Sequence, residues 1–88
     1  MTIALAPHVT ATETEHGMVL LDERRGTYWQ LNATGAAVLT ALTSGTDTAS
    51  AAAILTAAHP ESAPRALADV TAFLATLREA GLLAETAA

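Results

Sequence analysis

The sequence predicts an α+β domain, a three-stranded antiparallel meander followed by three helices. Three observations predict it. The first third alternates β-branched with polar residues between short turns. The spacing of apolar residues then changes from two to three and four. Each helical stretch follows a residue suited to cap it and ends at glycine or proline. At 88 residues the chain is expected to be one domain, 1–88, with its core at about 9–83. A domain of this size buries only about 60% of its unfolded surface.

The strands come first. "HVTATE" sets Val9 and Ala11 against Thr10 and Thr12, the alternation of a pleated edge. "EHG", Glu15 to Gly17, reverses the chain, with Gly17 free to take a positive φ. "MVLLDE" is more continuously apolar and reads as the central strand. "ERRG" turns again, and "TYWQL" makes a third strand, Thr27 to Leu31.

The helices follow. Asn32 is placed to cap "ATGAAVLTAL", in which Val38 and Leu42 share a face, and Gly45 ends that helix in the left-handed region. Thr46 or Asp47 caps a second helix carrying Ala51, Ile54, Leu55 and Ala58. "HPESAP" breaks it. Ser62 is placed to cap a third helix, with Pro64 in its first turn. That helix runs to about Ala80, where Gly81 stops it. Its main stripe is Leu67, Val70, Leu74 and Leu77, with Phe73 on the flank. Leu82 and Leu83 fold back onto the core. The first few residues and the tail "AETAA" are expected to lack order.

Composition narrows the function. Net charge is −5, and the only basic side chains are Arg24, Arg25, Arg65 and Arg78. Phosphate backbones require a concentrated basic surface, so the balance points to a protein or peptide partner rather than nucleic acid. With no cysteine there is neither a disulfide frame nor a thiolate zinc site, which suits a reducing cytoplasm. No run approaches the ~20 apolar residues of a membrane helix, and the N-terminus has no basic region typical of a signal peptide. His8, His16 and His59 are scattered, so no metal site is expected. Ser44, Ser50 and Ser62 read as turn and cap residues. Gly35, Gly45 and Gly81 are too far apart to cradle a phosphate. Neither catalysis nor a cofactor is expected. "DERR", Asp22 to Arg25, reads as a charged turn, with Arg24 and Arg25 as secondary candidates for contacting an acidic patch on a partner.

The third strand is unlike the first. A meander leaves both as edges, which proteins usually blunt with charge or proline. The first has Pro7 ahead of it and Glu13 and Glu15 at its end, whereas Thr27 to Leu31 has neither a charge nor a proline. Instead it carries two of the chain's three aromatic residues, Tyr28 and Trp29. Alternation puts Thr27, Trp29 and Leu31 on one face and Tyr28 and Gln30 on the other. Leu31 leads into a helix, so Trp29 is expected toward the core and Tyr28 toward water. Taken alone, an exposed aromatic needs no function. Beside an amphipathic helix, however, a bare edge makes a groove to which an extended peptide can add a strand. Val70 and Phe73 are the candidate pocket, with Ala66 and Asp69 on the adjoining surface.

"VLLDERRGTYWQLNATGAAVLTAL" followed by "DVTAFLATLREAGLL" resembles the PqqD-like family, or RiPP recognition elements. The resemblance rests on an apolar strand ending in Asp22, an aromatic strand ending Leu31-Asn32, and Gly35 in the first helix. Phe73-Leu74, Leu77 and Gly81-Leu82-Leu83 complete it. It implies a winged helix-turn-helix-like domain, not itself an enzyme, that binds the leader of a ribosomally made precursor peptide. Thr27, Tyr28, Trp29 and Gln30 would pair with the leader backbone, and Ala66, Asp69, Val70 and Phe73 would line the far wall. The chain looks most like the stand-alone version found with lasso peptides. The partners there are the precursor leader, a cysteine-type leader peptidase and a macrolactam-forming cyclase. Such leaders commonly carry a Tyr and a Pro-x-Leu element. The alternatives are a peptide chaperone for a radical-SAM enzyme and a small winged-helix DNA-binding protein.

Overall fold

The computed structural model describes residues 2–86. In chain order the elements are β1 (Thr2–Leu5), β2 (Val9–Thr14), β3 (Gly17–Asp22), β4 (Thr27–Asn32), α1 (Ala33–Thr43), α2 (Thr48–Ala58), a 3₁₀ turn (Pro60–Arg65), α3 (Ala66–Glu79) and β5 (Leu83–Thr86). β2, β3 and β4 form the expected antiparallel meander with β3 central. Its inward residues on β3, Met18, Leu20 and Asp22, are all buried. Helices α1 to α3 follow in the arrangement of a winged helix-turn-helix.

Gly17 determines how closely β4 can approach β3. It pairs with Asn32 at φ 153°, and a Cβ there would fall 2.0 Å from the Leu31 carbonyl oxygen. No side chain fits, so the turn glycine is also the contact point of the next strand.

The ends of the chain depart from expectation. Instead of lacking order, β1 and β5 pair antiparallel, from Thr2 with Thr86 to Leu5 with Leu83. The Ala6 N–H extends the ribbon by donating to Leu82 O at 2.9 Å. Burial explains the pairing: Ile3, Ala6 and Leu82 are core residues, and their strands must satisfy the backbone groups carried in with them. The last two residues of the tail, Ala87 and Ala88, lie outside the described residues.

The caps on α1 and α2 are those expected. Asn32 Oδ1 accepts from the Gly35 N–H and Asp47 Oδ1 from the Ser50 N–H, each at 2.7 Å. The start of α3 differs. Ser62 does not cap it; the Ser62 N–H donates to His59 O inside the 3₁₀ turn, and α3 begins at Ala66. Two prolines, Pro60 and Pro64, supply no N–H for a regular α-helical turn there. With the helix starting later, its buried stripe is Ala66, Val70, Leu74 and Leu77, whereas Leu67 is 52% exposed.

The core has two lobes. Ile3, Val38, Leu42, Ala51, Val70 and Leu74 make one between the helices. Val9, Met18, Leu20, Leu39, Leu77 and Leu82 make the other beneath the sheet. Phe73 and Leu83 pack against both and so join the two.

"DERR" is more than a charged turn. Asp22 is 1% exposed, and its Oδ1 accepts from the Arg24 and Arg25 N–H groups at 3.0 and 3.1 Å. His8 Nε2 lies 3.8 Å from the same oxygen. Arg25 Nη1 lies 3.9 Å from Asp22 Oδ2 and donates to the Ala80 carbonyl, at the end of α3, at 2.6 Å. A buried carboxylate thus shapes the β3–β4 turn, and the arginine it orients ties that turn to the last helix.

Two outcomes test this description. Gly17→Ala should destabilise the fold by about 2 kcal/mol or more in urea denaturation, because the new methyl meets backbone rather than a movable side chain. The N–H and hydroxyl of Ser50 favour the Asp47 carboxylate and hold it below its ordinary value of 3.8. Because the folded pKa is the lower one, the cap's contribution is complete above the ordinary value and fades as the pH falls through the folded one. Acid titration followed by the Ser50 amide signal should show this loss, and Asp47→Asn should keep the cap while abolishing its pH dependence.

Candidate functional site

Among the described residues, β4 has β3 on one side and no strand on the other. Which of its backbone groups are unpaired follows from one bond. The Glu23 N–H donates to His8 O at 2.8 Å, which makes Val9 and Asp22 a non-hydrogen-bonded pair and Thr10 and Leu21 a bonded one. Alternation then turns the backbone groups of Met18, Leu20 and Asp22 toward β4. Their partners Leu31, Trp29 and Thr27 face back to β3. The N–H and C=O of Tyr28 and Gln30 are therefore aimed outward.

The side chains alternate as well. Trp29 and Leu31 are half-buried against the lobe beneath the sheet, while Tyr28 is 72% exposed on the opposite face. No charge lies between Thr27 and Asn32.

Past the end of β4, three helices meet around an open pocket of about 220 Å³. Val38, Leu55, Val70 and Phe73 give it an apolar floor. Asn32, Thr34, His59 and Asp69 give it a polar rim. Gly35 keeps it open where α1 begins: a Cβ there would stand 3.2 Å from Asn32 Oδ1 and 4.0 Å from the Phe73 ring. Thr34 Oγ1 lies 3.3 Å from His59 Nε2, and His59 Nδ1 lies 3.6 Å from Glu61. Asp69 faces Arg65 at 3.7 Å. Both members of that last pair are exposed, so it contributes under about 1 kcal/mol. The site therefore combines an unpaired strand edge with an apolar pocket rimmed by hydrogen-bonding groups. It can take an extended chain and hold one of its side chains.

The structure places Thr27, Tyr28, Trp29 and Gln30 on this strand. It gathers Asp69, Val70 and Phe73 at the pocket. Ala66 is not among them: it is 3% exposed in the core and turns toward α2, beside Ala52, Ala63 and Leu67. Sequence reading missed Thr34, Val38, Leu55 and His59 as pocket residues. Val38 and Leu55 looked like ordinary core positions, and His59 stood at a helix end with no pattern around it. Asn32 and Gly35 stand out in the sequence for other reasons, as a cap and as part of a family pattern.

A family model described as coenzyme PQQ synthesis protein D, PqqD, matches residues 17–83. Two solved structures resemble the chain over nearly all or all of its length. Lasso peptide synthetase B1 complexed with the leader peptide is 35% identical, with a TM-score of 0.85, over 97% of this chain and all of that one. TbiB1 in complex with the TbiA(beta) leader peptide is 25% identical, with a TM-score of 0.80, over the full length of both. No curated protein matches.

Proposed function

Because the chain belongs to the PqqD family, we propose that it is a RiPP recognition element, a non-catalytic domain that binds the leader of a precursor peptide and delivers it for processing. The observation that carries this reading is the outward-facing backbone of Tyr28 and Gln30 beside the pocket at Asp69, Val70 and Phe73. A leader strand added to β4 takes hydrogen bonds from Tyr28 and Gln30, while Thr27 and Trp29 hold that strand to β3. Its inward side chains reach the pocket. The two solved structures that the chain resembles both contain leader peptides, which supports the reading.

The likeness to lasso peptide synthetase B1 favours a lasso precursor over a chaperone role beside a radical-SAM enzyme. The partners that go with it are a cysteine-type leader peptidase and a macrolactam-forming cyclase, in the cytoplasm, with residues 1–88 acting as one unit. A DNA-binding role lacks a basic recognition helix: α2 has no charged residue, and α3 sets Arg78 against Asp69 and Glu79.

Net of water, each backbone bond gives about 0.5–1.5 kcal/mol. Four such bonds and two or three buried side chains place leader affinity in the micromolar to nanomolar range, roughly −8 to −12 kcal/mol.

Fluorescence anisotropy with a labelled leader provides the test. Tyr28→Pro and Gln30→Pro each remove an outward N–H and should weaken binding at least about tenfold in a folded domain. Ala11→Pro makes the same change on the outer edge of β2 and should leave affinity unchanged. If neither β4 variant affects binding, strand addition is wrong. Val70→Ala and Phe73→Ala should each cost about 2 kcal/mol of leader affinity. Both should also lower stability in urea, because Val70 is buried and Phe73 joins the two lobes.

A further inference from the structure

The sheet has a second face, and among the described residues no helix covers it. Two rows cross it: Thr10, Leu21 and Tyr28, then Thr12, Val19 and Gln30. Both threonines, Tyr28 and Gln30 are exposed, and Val19 and Leu21 between them are half-buried. None of the six is charged, in a chain with nine acidic and four basic side chains. An uncharged patch centred on aliphatic and aromatic side chains, with a polar margin, has the composition of a protein interface core.

The patch is continuous with the β4 edge. Tyr28 and Gln30 present their side chains to it and their free backbone groups to the edge. A strand added there widens the sheet, and alternation sends every second guest side chain onto this same face.

We infer that the solvent face of β2–β3–β4, extended by the bound leader, is the docking surface for the enzyme that processes the precursor. This rests on the leader-binding reading above. Continuity selects the occupant. A protein seated here touches both the domain and the peptide that it must act on, whereas a second copy of the chain has no need of the guest strand.

Size adds a requirement. Three six-residue strands present a face of roughly 280 Å² and four strands about 380 Å², from strand spacings of about 4.8 Å and 3.3 Å per residue. A stable interface takes about 800 Å² from each partner. Both fall short of that, so the sheet face is one part of the contact, and the leader enlarges that part by about a third and so strengthens the complex. By reciprocity the enzyme strengthens leader binding by the same factor.

The test uses the intact chain, labelled leader, full precursor and the leader peptidase produced from the same gene cluster. Two variants avoid the leader-binding residues: Val19→Thr with Leu21→Lys, and Thr12→Arg alone on the exposed side of β2. The second is included in case the first does not fold. Leader affinity should stay within about twofold of wild type, while precursor cleavage falls at least about tenfold. For the wild-type chain, the peptidase should bind at least about tenfold more tightly when leader is present. Normal cleavage by the folded variants overturns the inference and leaves leader binding intact. So does sedimentation that shows this face joining two copies. Wild-type protein that fails to bind leader overturns the proposed function, and this inference with it.

Discussion

A strand with a neighbour on only one side satisfies half of its backbone. That condition governs β4. Met18, Leu20 and Asp22 claim the groups of Leu31, Trp29 and Thr27, and the groups of Tyr28 and Gln30 are left over. Water can satisfy them, and so can another polypeptide. What distinguishes β4 is the lack of the usual deterrents: it has no charge, proline or bulge, and an apolar pocket lies just beyond its end. β2 faces the same constraint on the other side of the sheet. There the strand ends in Glu13 and Thr14, the turn adds Glu15, and the hollow beside it is edged by both glutamates.

An edge that receives a guest must itself be held still, and the molecule fixes this one at both ends. At one end Gly17 lets the chain pass close to Leu31 and Asn32, and Asn32 immediately caps α1. At the other, buried Asp22 folds the turn, and Arg25 reaches the Ala80 carbonyl that caps α3. Each pin includes a polar contact, the Asn32 cap at one end and the Asp22 carboxylate at the other. These contacts fix position by directional bonds, whereas the apolar lobes on either side contribute bulk stability with less geometric demand. Phe73 has a foot in each system, since it closes the seam between the lobes and forms part of the pocket floor.

Much of this was legible from residues alone, because the signals were local. The meander follows from alternation and from where the turn residues stand. The caps on α1 and α2 follow from a single residue type at a single position. The split between Trp29 and Tyr28 follows from a period of two. What sequence hid was long-range or cooperative. Whether Ile3 and Leu83 order their strands depends on the surface they meet after folding, and a four-residue apolar segment does not announce that. The late start of α3 reflects two prolines acting together, and in its first turn Ala66 is buried while Leu67 is exposed. Asp22 looked like one more charge in a polar turn. Only the fold reveals that its carboxylate is enclosed.

The β1–β5 ribbon carries a further consequence. Because Thr2 pairs with Thr86, the two ends of the described chain leave at one spot. A unit with that plan can be spliced into a surface loop of a host polypeptide, entering and leaving through a single narrow stalk. The same plan suits circular permutation, with a short joint across the old ends and new ends cut in an exposed turn.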